Sequence, residues 1–109
     1  MTEGKRWTVR DRFGNAVYLT HERWQHIIEP INHPEMADFE EHLAETVRSG
    51  KRRQDPFHPR KYRYVQSFKD LVGDNTHLVA MVLFRAAESP KEKLLTEGFV
   101  VTAYQKEIG

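Results

Sequence analysis

Lys61-Tyr62-Arg63-Tyr64-Val65-Gln66-Ser67-Phe68 alternates along its length, and ten residues later Leu78-Val79-Ala80-Met81-Val82-Leu83-Phe84 is apolar throughout. In an extended chain successive side chains point to opposite faces. Tyr62, Tyr64, Gln66 and Phe68 therefore share one face, and Lys61, Arg63, Val65 and Ser67 the other. The second run suits a central strand covered on one or both faces. Gly73-Asp74-Asn75 between them is a turn signal, so the two strands are expected side by side and antiparallel.

The flanking segments extend this sheet. Phe99 to Tyr104 reads as a closing strand, with Phe99, Val101 and Ala103 on one face and Val100, Thr102 and Tyr104 on the other. Ser89-Pro90 to Thr96 is a charged connection leading into it. Lys51 to Gln54 is a short polar edge strand, followed by the two-proline loop Asp55-Pro56-Phe57-His58-Pro59. Strands joined by short turns leave little room for the crossover helices of a parallel sheet.

Before Gly50 the pattern is different. Trp7, Val9, Val17 and Leu19 alternate with polar residues around Gly14-Asn15, which predicts a short hairpin. Thr20 is placed to cap a helix over about 21–29, carrying Trp24, Ile27 and Ile28 and stopped by Pro30. Met36, Phe39, Leu43 and Val47 recur at helical spacing after Pro34, and Ser49-Gly50 supplies the stop. Asn32 or His33 is the expected cap of this second helix. The expected fold is therefore α+β: an N-terminal hairpin and two helices packed on a three- to four-stranded antiparallel sheet. The chain of 109 residues is read as one domain with its core between about 5 and 106.

Composition excludes several classes. At 39% hydrophobic and 30% charged residues the chain is neither disordered nor membrane-embedded by composition. Its longest apolar run, seven residues, is too short to cross a bilayer. Met1 to Arg12 is polar and lacks the apolar centre of a secretion signal. With no cysteine there is no disulfide scaffold, thiol nucleophile or thiolate metal site. This fits a reducing compartment, and a cytoplasmic location is expected.

The net charge of +1 hides a local imbalance. Glu22 to Glu45 carries seven acidic residues and one basic. Arg48 to Arg63 carries seven basic residues and one acidic. Either the two blocks compensate across the fold, or the basic one meets a polyanion.

Six histidines raise the question of metal. His21 and His26 are five apart and share a helix face poorly, and there is no HExxH, so neither a metal nor another cofactor is expected. His26 lies at the border of the first helix's apolar stripe. It is either a packed border residue or a general acid or base. His33 is either a cap or a second such group. Arg63, Thr102 and Tyr104 stand on strands. Around one sheet, a histidine, a guanidinium, a hydroxyl and a phenol suit RNA cleavage without metal, with Tyr62 and Tyr64 available to stack on bases.

The string Val17-Tyr18-Leu19-Thr20-His21-Glu22-Arg23-Trp24-Gln25-His26-Ile27-Ile28, followed by His33-Pro34-Glu35-Met36, resembles the opening of the phage-associated barnase–EndoU–colicin–RelE-like nuclease domains. Lys61-Tyr62-Arg63-Tyr64 and Phe99-Val100-Val101-Thr102-Ala103-Tyr104 are similar to their later strand motifs. The resemblance covers about residues 15–105. It implies a metal-independent endoribonuclease fold, with toxin or phage-related roles and a cognate inhibitor or immunity protein as a further partner. The catalytic positions it implies are His26, His33, Arg63, Thr102 and Tyr104. Arg52, Arg53, Arg60, Lys61, Tyr62 and Tyr64 are expected to hold RNA. Two alternatives stand beside the enzyme. One is an RNA- or protein-binding module that does not cleave. The other is an accessory protein that uses its acidic helix, Glu35 to Glu45, as a contact.

Overall fold

The computed structural model describes residues 4–85 and 97–108. Its elements run β1 (Lys5–Arg10), β2 (Ala16–Thr20), α1 (His21–Ile27), a 3-10 segment (Pro34–Asp38), α2 (Glu40–Ser49), β3 (Lys51–Gln54), β4 (Lys61–Ser67), β5 (His77–Phe84) and β6 (Glu97–Lys106). The class is α+β. The sheet, however, has six strands in the order β1-β2-β6-β5-β4-β3, not three or four. The N-terminal hairpin adds the extra strands, because β2 pairs with β6 and joins the sheet. That pairing is parallel and every other is antiparallel. No crossover helix is needed, since the chain returns to β2 only after passing through both helices and three further strands.

Both helices cover one face. Trp24 and Ile27 of α1, and Leu43, Ala44 and Val47 of α2, share a core with Val17, Leu19, Tyr64, Leu78, Ala80, Val82, Val100 and Ala103. The caps explain the helix ends. Thr20 Oγ1 accepts from the Arg23 amide at 3.0 Å, and α1 ends at Ile28, two residues before Pro30. The second helix is not one piece. Phe39, at φ −124°, breaks it into the 3-10 segment and α2, while Met36 and Leu43 still reach the core. Gly50 follows α2 in an extended conformation with φ −69°. It serves there for closeness, since a Cβ would lie 2.4 Å from the Thr46 carbonyl oxygen and 2.8 Å from that of Val65.

The sheet curls so far that the hairpin turn closes onto β4. Tyr64, fully buried, donates its hydroxyl to the Asp11 carboxylate at the tip of the turn. The same carboxylate accepts from the amides of Phe13 and Asn15 at 2.9 and 2.8 Å. Arg52 lies 3.7 Å from it and stacks on Phe13 and Tyr62. At the opposite side of the core, Arg6 meets Glu40 through two hydrogen bonds of 2.6 and 2.8 Å, and the Trp7 indole donates to Glu40 at 3.0 Å. An irregular register between Lys5 and Trp7 accompanies this double contact.

One irregularity decides what the other face carries. Met81 pairs with Thr102 but Val82 pairs with Val100, so Val101 is an extra residue in β6. The simple alternation expected for 99–104 fails there, because a bulge shifts the two-residue period by one. Val100 and Ala103 both enter the core, while Thr102 and Tyr104 face away from the helices beside Met81 and Val79. Among the described residues no helix is long and apolar enough to cross a membrane.

Candidate nucleic-acid interface and active site

The face turned away from the helices has a regular layout set by strand register. Arg53 on β3, Arg63 on β4, Met81 on β5 and Thr102 on β6 form one row across four strands. The next row is Lys51, Val65, Val79 and Tyr104. On the other side of the first row stand Lys61, Leu83 and Phe99. Val79 and Met81 are buried yet lie outside the helix-side core, and they form an apolar floor. Cations border this floor on β3 and β4, and hydroxyls border it on β6. Neighbouring strands lie about 4.8 Å apart, so Arg63 and Thr102 are separated by roughly 10 Å of backbone, a gap a phosphate and a long guanidinium side chain can span.

Arg53 and Arg63 face each other directly. Like charges at such a position destabilise a sheet. Among the described residues, neither forms an ion pair with a carboxylate, and the same holds for Lys51 and Arg60, while the charge of Lys61 acts on the Asp55 carboxylate. The six strands contain a single acidic residue, Glu97, and it is paired with Lys5 and Arg85 at 3.2 and 3.8 Å. The acidic block of the sequence lies instead on α1, the turn after it that carries Glu29, the 3-10 segment and α2. The acidic excess thus lies on the helix side and the cationic excess on β3 and β4, although Arg6 of β1 pairs with Glu40 across that division. A cleft of about 330 Å³ opens between Arg53, Gln54, Asp55, Pro56, Arg63 and Met81.

His33 reaches the hydroxyl end of this face. Its ring lies 5.7 Å from that of Tyr104, centroid to centroid, at 31°. It makes no side-chain cap hydrogen bond to the 3-10 segment that follows it, so the expected capping role is absent. Its Nδ1 lies 3.5 Å from the Glu35 carboxylate, which leaves Nε2 for other work. Glu35 belongs to the His33-Pro34-Glu35 motif, yet nothing in its spacing marks it as a partner of the ring.

His26 is placed differently. Trp24 and Ile27 turn into the core, and the turn of an α-helix carries His26 to the other side. Its side chain is 57% exposed and lies 3.4 Å from Glu29. The structure does not bring it to the Arg63–Thr102 row. His21 is exposed near Arg6, and His42 is held between Phe39 and Phe68 with its Nε2 2.8 Å from Asp70. Among the described residues no three histidine, aspartate or glutamate side chains gather as metal ligands do.

Three of the residues expected to hold RNA, Tyr64, Tyr62 and Arg52, turn to the core side of the sheet, the last two half-buried. Tyr64 is wholly buried, and its hydroxyl is committed to Asp11. Tyr62 packs edge-on against Phe84 on the core side, with Arg52 over its ring. These residues fall on the even face of β4 and on Arg52 of β3, which the hairpin turn covers. The sequence carries the alternation but not the curl that closes the turn over them. Burial raises both the Tyr64 hydroxyl and the Asp11 carboxyl. For Tyr64 the bond to Asp11 adds to the rise, and the phenol stays protonated. For Asp11 the hydrogen bonds from Tyr64, Asn15 and Phe13 outweigh burial and hold the carboxyl below its ordinary value. The bond from Arg6 does the same for Glu40.

The remaining expected residues stay on the outer side or at its rim. Arg53 and Arg60 are exposed, Lys61 is half-buried, and Thr102 and Tyr104 are half-buried. Lys51 joins them, two residues before Arg53 on the same strand face, as its spacing already requires.

Comparison with protein-family models, with curated proteins and with solved structures finds no match.

Proposed function

We propose that the chain binds RNA on the sheet face opposite its helices and cleaves it without metal as an endoribonuclease. The observation that carries this is the row Arg53–Arg63–Met81–Thr102, with its cations unpaired among the described residues and Tyr104 beside His33 at its end. Two facing guanidinium groups repel each other, and a phosphate between them removes that cost. RNA supplies such phosphates along its whole length.

The cleavage chemistry needs three things that these residues can provide. A base takes the proton from a ribose 2′-OH, and Nε2 of His33 is the group assigned to it. The 2′-oxygen then bonds to the adjacent phosphorus while the bond to the 5′-oxygen breaks. The leaving 5′-oxygen needs a proton, and the Tyr104 hydroxyl is assigned to deliver or position it. Charge that develops on the non-bridging oxygens is met by the Arg63 guanidinium and the Thr102 hydroxyl. The products are a 2′,3′-cyclic phosphate and a free 5′-OH. The fold of the barnase–EndoU–colicin–RelE-like nucleases is part of the same proposal. In this scheme His26 takes no part, because its side chain leaves the helix on the side away from the core.

The test is incubation of the purified protein with end-labelled RNA in EDTA, beside His33→Ala, Arg63→Ala and His26→Ala. The expected result is cyclic-phosphate products from the parent protein and from His26→Ala, and their loss in the other two. If only His26→Ala is inactive, the site is elsewhere. Binding that weakens steeply with salt but yields no product identifies a binder that does not cleave.

A further inference from the structure

The β3–β4 hairpin carries an aromatic ring that the fold does not use. Phe57 is 88% exposed, the most open large apolar side chain among the described residues. It sits on a loop that is held firmly. The Asp55 carboxylate accepts from the amides of Phe57 and His58 at 2.8 and 3.1 Å. The Asp55 amide donates to the Lys61 carbonyl at 2.8 Å, and the Lys61 amide to that of His58 at 2.9 Å. The Gln54 side chain closes the loop onto the Pro59 carbonyl at 2.7 Å. Pro56 and Pro59 fix two further backbone angles. The backbone that presents the ring is thus ordered before any partner arrives, so covering the ring costs little backbone entropy on the protein side.

The segment that carries the ring borders a charged cleft. Phe57 directly follows Pro56, which lines the cleft with Arg53, Arg63 and Met81. Arg60 and Lys61 end the same hairpin. Asp55 also lines this cleft, but one of its oxygens is taken up by the two loop amides. An exposed ring one residue along the chain from the wall of a cleft with two facing guanidinium groups suits one repeating chemical unit, a base attached to a phosphate. Stacking of a base requires that it be unpaired, since a base within a duplex offers no free face.

We propose that the β3–β4 hairpin is a nucleotide subsite of single-stranded RNA, in which Phe57 stacks on an unpaired base and Arg53 holds the phosphate next to it. The proposal deepens the RNA reading above and rests on it. The subsite selects single strands over duplexes, while the His33–Tyr104 end of the face performs the chemistry.

The test uses a short fluorescent RNA with 2′-O-methyl sugars, which cannot be cleaved, and follows anisotropy with Phe57→Ala, Phe57→Trp and Arg53→Ala. Three probes are compared: the base-bearing single strand, the same strand with abasic residues, and the duplex. Phe57→Ala is expected to bind the base-bearing strand about tenfold more weakly. It should bind the abasic strand as the parent protein does, and Phe57→Trp should restore affinity. Arg53→Ala should weaken binding to the base-bearing and abasic strands equally. If the parent protein binds RNA and Phe57→Ala binds it equally well, or loses the same factor on the abasic strand, the subsite is refuted and the wider RNA reading survives. If the parent protein binds none of the probes, both fail together.

Discussion

The two faces of the sheet treat charge in opposite ways. On the helix side, every described cation that reaches the core is matched. Arg6 has Glu40, and Arg52 has Asp11 and two aromatic rings. On the outer side Arg53 and Arg63 stand opposite each other and share a cleft with Asp55, yet neither forms an ion pair among the described residues. The first arrangement is what stability requires, since a buried charge without a partner is costly. The second gives up some stability, and the proposed RNA site is the use we assign to it. The difference separates residues that hold the fold from residues left free to act.

This contrast can be broken or sharpened by substitution. The largest effect is expected at the hydroxyl end of the outer face. His33→Ala should lower RNA cleavage by at least about 100-fold, the usual contribution of a general base, without changing the melting temperature. Unchanged cleavage would remove His33 from the chemistry.

On the helix side the expected effect is on stability. Asp11→Ala leaves the Tyr64 hydroxyl, two amides and Arg52 without their shared acceptor. It should cost about 3 kcal/mol in denaturant unfolding. A loss under about 1 kcal/mol would mean that this cluster is not what closes the hairpin over β4.

Arg63→Ala should reverse that pattern. Folding stability should be kept, while affinity for single-stranded RNA falls several-fold and the slope of log affinity against log salt drops by about 0.7. If it unfolds the protein instead, the outer row is structural and the contrast between the faces disappears.

The smallest effect concerns acid. Asp11 and Glu40 are held below their ordinary values when folded. Their contribution is therefore complete above the unfolded carboxylate range, about pH 4, and is lost as pH falls through the folded values. Urea midpoints should be flat from pH 7 to about 5 and decline below about 4. Asp11→Asn should flatten part of that decline.

Much of this architecture is legible in the sequence. The alternation of 61–68 and the apolar run of 78–84 fix β4, β5 and their antiparallel pairing. Thr20, Pro30 and Gly50 mark helix ends within a residue or two. What escapes is long-range. Nothing in Ala16-Val17-Tyr18 says that it pairs in parallel with Glu97-Gly98-Phe99. Val101 carries no local mark of a bulge, yet the bulge decides which side chains of β6 face out. Tyr62 and Tyr64 look like stacking rings until the hairpin turn is seen to cover them. Of the two histidines weighed for catalysis, the border of the first helix's apolar stripe favours His26. The exposure of its side chain and the ring of Tyr104 beside His33 are what turn the proposal to His33.

The central claim is that RNA lies on the sheet face opposite the helices. The most direct test is an amide-resolved NMR titration with a short, uncleavable single-stranded RNA. The largest shifts are expected at Arg53, Arg63, Met81, Thr102, Tyr104 and His33, with Glu41 to Ser49 of α2 unmoved. Shifts concentrated on α2, or none along β3 to β6, would contradict it.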